Sequence, residues 1–231
     1  MNLYSLHIEK CGGTTLQFFL RKNFGALYVP SSPRQEGFDA DALNKPFPDG
    51  SVFHGHYSYG AHTYHQHTVP IEYVTMLREP VDRFVSHYYH IVNHNDHPQY
   101  AMAKNHTLDS YLAWEGSWTV KNMLTHRVSG RFITPDNGAD VLELAWANLQ
   151  SCALVGTLSH INAYIAALVK RYKLTDPRQE KLNVGKRKKL EEIPQAVLTR
   201  VAEANHLDCE LYRRLIELLA ERDDTVLRRK A

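Results

Sequence analysis

Short apolar runs alternate, in the first half of the chain, with stretches whose apolar side chains recur every three or four positions. That alternation predicts strands followed by helices. Residues 3–8 are compact, mostly apolar and end near a glycine pair, as a buried strand does. Over residues 14–23, Leu16, Phe18, Phe19 and Leu20 suit a helix, and Gly12 and Gly13 form the turn before it. Strand, glycine turn and helix make the first half of a βαβ unit. Residues 51–56 read as a second strand. Residues 71–77 read as a third, carrying Ile71, Tyr73, Val74 and Met76. Pro80 stands where a proline opens a helix, and residues 81–93 continue the helical pattern.

Residues 30–50, rich in Pro, Gly, Ser and Asp, predict an irregular connection, and the polar residues 94–107 a loop. From residue 108 the pattern is mostly helical, over 108–114, 120–129, 139–148, 161–172 and 194–222. One more short strand falls at 154–156, and a strongly basic interruption at 182–190. Residues 228–230 read as a frayed tail. With no repeat or low-complexity tract, one domain over residues 1–231 is expected. Its predicted class is α/β: a P-loop-like open parallel sheet flanked by helices, with a mostly helical C-terminal half.

The chain has 231 residues, 43% of them hydrophobic, enough for a core that needs no disulfide or metal staple. A net charge of +2 argues against a nucleic-acid partner. Cys11, Cys152 and Cys209 are odd in number and far apart, which points to reduced thiols. The start lacks the features of a signal peptide, and no uncharged apolar run approaches the ~20 residues of a membrane helix. The expectation is a cytoplasmic protein if the chain is complete, and a Golgi-lumenal one if it is an excised catalytic domain.

Candidate chemistry begins at the glycine turn, Lys10-Cys11-Gly12-Gly13-Thr14-Thr15. A helix N-terminus offers free N–H groups and partial positive charge, so this turn is a seat for an anion. Glycines allow close backbone approach, Lys10 adds a charge and the threonines add donors. A Walker A loop places its lysine after the glycines, whereas here Lys10 precedes them. The competing reading is a plain strand–helix turn with Thr14 as N-cap. Further on, Arg78 ends the third strand and Ser86 follows in the next helix. Arginine at the carboxyl end of such a strand suits bidentate phosphate binding.

Taken together, the two segments resemble the 5′-phosphosulfate loop and the 3′-phosphate motif of sulfotransferases that use 3′-phosphoadenosine-5′-phosphosulfate (PAPS). The wording of residues 7–15 and 77–84 is similar to the heparan sulfate 2-O/6-O sulfotransferase group, with further likeness at 119–130, 154–156 and 205–212. The resemblance implies that Lys10, Cys11, Gly12, Gly13, Thr14 and Thr15 surround the 5′-phosphosulfate, and that Arg78 and Ser86 hold the 3′-phosphate. It also implies a later loop closing on the cofactor, with Asn183, Lys186 and Arg187 as candidates. Two positions depart from the family. Cys11 stands where threonine is common, and a thiol beside a phosphate seat is expected to have a lowered pKa. Glu9 puts a carboxylate beside an anion site, so it must point away or pair with a cation.

In Phe53-His54-Gly55-His56 the two histidines share one face of a strand, and histidine is the usual base for a hydroxyl near pH 7. The segment resembles that of the uronyl 2-O-sulfotransferases, which carries their base. His56 is the first candidate and His54 the helper or substitute; the plain reading is a pair of hydrogen-bonded strand histidines. His62, His65 and His67 lack a carboxylate or cysteine at ligand spacing, so no metal is expected. His87, His90, His94 and His97 read as surface or groove residues, and Trp114, Trp118 and Tyr88 as core aromatics that could instead stack on sugars.

The expected activity is in-line sulfuryl transfer from PAPS to a hydroxyl, on a carbohydrate containing uronic acid, leaving 3′-phosphoadenosine 5′-phosphate. The alternatives are a P-loop kinase of a small metabolite and a catalytically silent nucleotide- or glycan-binding protein.

Overall fold

The computed structural model describes all residues except 31–44, 115–116, 118–119, 177–186 and 230–231. The first strand, β1 (Asn2–Leu6), is buried along its whole length, which is the condition of a central parallel strand. Leu3 faces one core, while Tyr4 and Leu6 face the other. Next come α1 (Gly13–Phe24), β2 (Tyr28–Pro30), β3 (Val52–Gly55), β4 (Ile71–Leu77) and α2 (Pro80–Asn93). Pro80 opens α2 as expected, and Glu79 caps it. The Glu79 carboxylate accepts from the backbone N–H groups of Val81 at 3.0 Å and Asp82 at 2.6 Å.

The remainder consists of α3 (Tyr100–Ala103), α4 (Leu108–Ala113), α5 (Met123–Ser129), α6 (Gly138–Ser151), β5 (Leu154–Thr157), α7 (Ile161–Tyr172), α8 (Gln195–Ala204), α9 (His206–Glu221) and β6 (Leu227–Arg228). The strands lie in the order β2-β3-β1-β4-β5-β6, with β6 alone antiparallel. Helices α1 and α7 pack their apolar side chains on one face of the sheet. Helices α5, α6 and α9 cover the other. A third cluster joins α2, α4 and α8 around Phe84, Tyr111 and Val201. This is the expected α/β class: a mostly parallel open sheet with helices on both faces.

The chain leaves β1 toward β2 and β3, but leaves β4 toward β5. The carboxyl ends of the adjacent strands β1 and β4 therefore flank a topological switch point, where open α/β sheets place their ligands.

Local patterning misjudged three places. Arg228, first residue of the supposed frayed tail, belongs to β6: it pairs with Leu154 and Leu227 pairs with Val155 on the edge of β5, while Val226 and Leu227 bury their side chains. The single helix expected over 194–222 breaks at Asn205, which is fully buried. Its amide oxygen accepts from the Asn122 backbone N–H at 3.0 Å, and the Asn122 side-chain oxygen accepts from Leu207 N–H at 3.1 Å. That exchange joins the start of α5 to the start of α9. The buried Asp208 carboxylate strengthens it by accepting from the N–H groups of Leu124 at 3.0 Å and Thr125 at 2.8 Å. The loop expected over 94–107 also contains the short helix α3. No helix among the described residues is long and apolar enough to cross a membrane.

Candidate active site

The turn after β1 is wound tightly. Lys10 has φ 68° and Gly12 φ 80°, both left-handed. For lysine that conformation costs on the order of 1–2 kcal/mol, and contacts hold it there. The Cys11 N–H donates to Ile8 O at 3.1 Å, and Arg78 Nη1 donates to Lys10 O at 2.9 Å. Arg78, from the end of β4, thus braces the turn at the end of β1, and the two predicted anion seats adjoin across the switch point. Gly12, not Thr14, is the N-cap of α1, and it provides no side-chain cap. The hydroxyls of Thr14 and Thr15 make no hydrogen bond among the described residues.

The glycines answer to packing as well as to any ligand. A Cβ at Gly13 would fall 1.7 Å from His7 Nε2, and one at Gly12 would fall 2.5 Å from Met76 Cε. Their presence alone therefore says little about a bound phosphate.

Charge says more. Three cations gather here. Arg78 reaches Asp82 Oδ2 at 2.6 Å and Arg187 reaches Asp82 Oδ1 at 2.5 Å, while the Lys10 ammonium makes no ion pair among the described residues. Burial, and then the guanidinium groups of Arg78 and Arg187, lower the Lys10 pKa. One carboxylate among three cations beside an uncapped helix N-terminus leaves the site in want of an anion. Ser86 lies one helical turn beyond Asp82 on α2, the spacing of residues on one face. It is buried, and its hydroxyl has no hydrogen-bond partner among the described residues. Asn183 and Lys186 lie outside the described residues.

On the other flank of β1, histidines gather. The His54 ring is fully buried, with Nε2 3.0 Å from Gly13 O and Nδ1 2.9 Å from Ser5 Oγ. A carbonyl only accepts, so Nε2 carries the proton and Nδ1 accepts from the serine hydroxyl. Both nitrogens are thus committed, and burial lowers the pKa to about 4. His7 stacks on His54 at 5.1 Å and meets His56 at 4.5 Å. The His56 side chain is 54% exposed, with Nδ1 3.7 Å from Glu9 Oε1. Burial lowers the His56 pKa; Glu9 opposes that shift and Arg127 adds to it. Arg127 donates to Glu9 Oε1 at 2.5 Å and to His56 O at 3.0 Å. Burial alone would raise the Glu9 carboxyl, yet Arg127 and His56 draw it down to about 2.

A family model described as the sulfotransferase family matches residues 1–133. The chain belongs to that family. A comparison with curated proteins finds no match. The matched span contains the turn, both strand-end histidines, Arg78, Ser86 and Arg127, while Arg187 falls beyond it.

Two expectations reverse within this sulfotransferase. The Cys11 thiol was expected to be acidic. It turns instead into the core, where burial pushes it up to about 12 although Arg83 and Arg78 pull the other way. His87, expected at the surface or in a groove, is buried on α2 and depressed to about 3 by burial and by Arg83. Tyr88 and Trp114 pack in the third cluster, and Trp118 lies outside the described residues. Among the described residues no group of three could hold a metal ion. Instead, Tyr4 bridges His65 and His67 through its hydroxyl, at 2.6 and 2.9 Å. Pattern reading passed over His7 and Arg127. His7 lies within residues 7–15, just ahead of the glycine turn, and the Glu9 carboxylate called for a cation without saying from where.

Proposed function

We propose that the chain is one sulfotransferase domain that carries a sulfuryl group from PAPS to a carbohydrate hydroxyl, with His56 as general base. The observation carrying this reading is the Lys10 ammonium, which has no ion-pair partner among the described residues. It is half-buried beside two guanidinium groups at a switch point, an unfavourable arrangement unless an anion joins it.

Lys10 and the free N–H groups at the start of α1 hold the 5′-phosphosulfate, with Thr14 and Thr15 adding donors. Arg78 and Ser86 take the 3′-phosphate, with Arg187 adding charge from its place beside Asp82. The bound donor supplies an activated sulfur whose leaving group is the 5′-phosphate. His56 accepts the proton of the acceptor hydroxyl while its oxygen bonds to sulfur and the bond to the bridging oxygen breaks. The electron pair departs on that phosphate, beside Lys10, giving 3′-phosphoadenosine 5′-phosphate. Charge placed in advance is the main catalytic resource of such a site. His54 holds the turn through Gly13 and is not available as a base. The likeness of residues 54–56 to the uronyl 2-O enzymes favours an acceptor containing uronic acid.

Labelled PAPS offered to a panel of glycans tests the assignment, with label expected on uronate-containing acceptors. A thermal shift with 3′-phosphoadenosine 5′-phosphate and none with ATP and magnesium is also expected. The opposite pattern would return the kinase reading.

A further inference from the structure

Glu9 is the one carboxylate in the turn after β1, and the transfer step proposed above does not use it. Its surroundings are specific. Arg127, near the end of α5, grips Glu9 Oε1 with one terminal nitrogen at 2.5 Å and the His56 carbonyl with the other at 3.0 Å. The same guanidinium thus fixes both the carboxylate and the backbone of the histidine it faces. Arg127 is itself anchored, since its carbonyl accepts from the Tyr59 N–H at 2.8 Å. Glu9 and Arg127 are largely buried, at 17% and 19% side-chain exposure. Their pairing is therefore less weakened by solvent than a surface ion pair would be.

We propose that Glu9 is a positioning residue for His56, holding the proton on Nδ1 so that Nε2 is free to take the proton of the acceptor hydroxyl. The inference rests on His56 being the base. The Nδ1 to Oε1 separation of 3.7 Å is longer than a finished hydrogen bond, as is common in unliganded active sites. The groups facing His56 are the Glu9 carboxylate, the Arg127 guanidinium and the neutral His7 ring, which packs on it at 4.5 Å. Glu9 is the only one of these that can accept from Nδ1 while favouring the imidazolium formed during transfer. It does not relay the proton. Arg127 holds its carboxyl at about 2, so it stays ionised while the proton rests on the imidazole. This is the role an orienting aspartate plays for the histidine of a catalytic triad. Here the partner comes from the phosphate turn, so donor seat and base are built by one segment.

The test is Glu9→Gln with Arg127 retained. Turnover is expected to fall about 10- to 1,000-fold, less than the ~10,000-fold of a fully buried triad because His56 is half exposed. The acid limb of the kcat/KM profile should also move to lower pH, since losing the negative charge makes imidazolium harder to form. Affinity for 3′-phosphoadenosine 5′-phosphate should stay within about twofold, and Glu9→Asp should recover part of the rate. Wild-type turnover, or a loss of rate with an unmoved pH profile, would overturn the proposal. A second measurement needs no variant at position 9: nitrogen NMR of the wild-type ring, assigned by its disappearance in His56→Ala. The Nδ1–H tautomer is expected near neutral pH, and the Nε2–H tautomer would refute the idea. If the wild-type protein transfers nothing from PAPS, the functional reading falls while the tautomer still decides this one.

Discussion

The two flanks of β1 are built from different kinds of charge. Toward β4 lie the cationic side chains of Lys10, Arg78 and Arg187, with the Asp82 carboxylate paired to the two arginines. Toward β3 lie His7, His54 and His56, rings whose charge depends on pH and which surroundings keep neutral. Fixed charge suits holding an anion, and a neutral imidazole suits taking a proton. The turn of residues 7–13 connects the two flanks, contributing Lys10 to one and His7 and Glu9 to the other. A site divided in this way should lose turnover and donor affinity separately when each flank is damaged.

The largest effect is expected from His56→Ala. Removing a general base should lower kcat about 100- to 10,000-fold while thermal stabilisation by 3′-phosphoadenosine 5′-phosphate persists. If His56→Ala keeps its rate and His54→Ala does not, the two histidines exchange roles despite the hydrogen bonds that occupy His54. Full activity in both removes the histidine base altogether. On the other flank, Lys10→Ala should cost about 100-fold or more in turnover, the scale of one lost oxyanion donor. Unlike His56→Ala, it should also weaken stabilisation by the nucleotide product. Equal effects of both variants on binding and rate would dissolve the distinction between the flanks.

The two flanks were unequally legible from the sequence. The cationic one could be read because its parts are local. A strand, a turn and a helix start fall within residues 3–23, and Pro80 with the Glu79 cap sets Arg78 at a strand end. Periodicity and turn chemistry report such features directly. The histidine flank depends on contacts that no local pattern carries. Arg127 reaches Glu9 across 118 positions, and the Ser5 hydroxyl closes off His54 across 49. Without those partners the two strand histidines look equivalent, and only burial separates them. The same limit applies at the far end of the chain. Asn205 reads as one more helical residue until Asn122, 83 positions away, claims its side chain. Arg228 reads as tail until β5 presents an open edge.

Neutral, buried imidazoles make the β3 flank sensitive to acid. The folded-state pKa of His54 is lowered to about 4 from 6.5, by burial first. Between those values the unfolded chain binds a proton that the folded chain refuses, so stability is complete above about pH 6.5 and falls as pH drops toward 4. One such group contributes about 3 kcal/mol to that loss, and the buried His87, lowered to about 3, acts in the same direction. Chemical denaturation from pH 7 to pH 4 should show the decline, and His54→Gln should flatten part of it. Stability that does not change over this range would mean that the His54 ring is not held neutral in the folded protein.

The smallest effect is expected at Cys11, which belongs to the cationic turn by sequence and to the core by structure. Its backbone helps wind the turn, but its side chain is buried in the cluster of Tyr4, Leu6 and Phe53. Burial holds the thiol near 12, so at neutral pH almost no thiolate is present and alkylating reagents should spare it. The half-buried Cys209 should react before either Cys11 or Cys152, both of which are buried. Cys11→Ala should therefore cost about 1 kcal/mol of stability through lost packing and change turnover by less than about threefold. Rapid labelling of Cys11, blocked by 3′-phosphoadenosine 5′-phosphate, would show instead that the side chain faces the anion seat. The residues after it would then have to be reassigned between core and site.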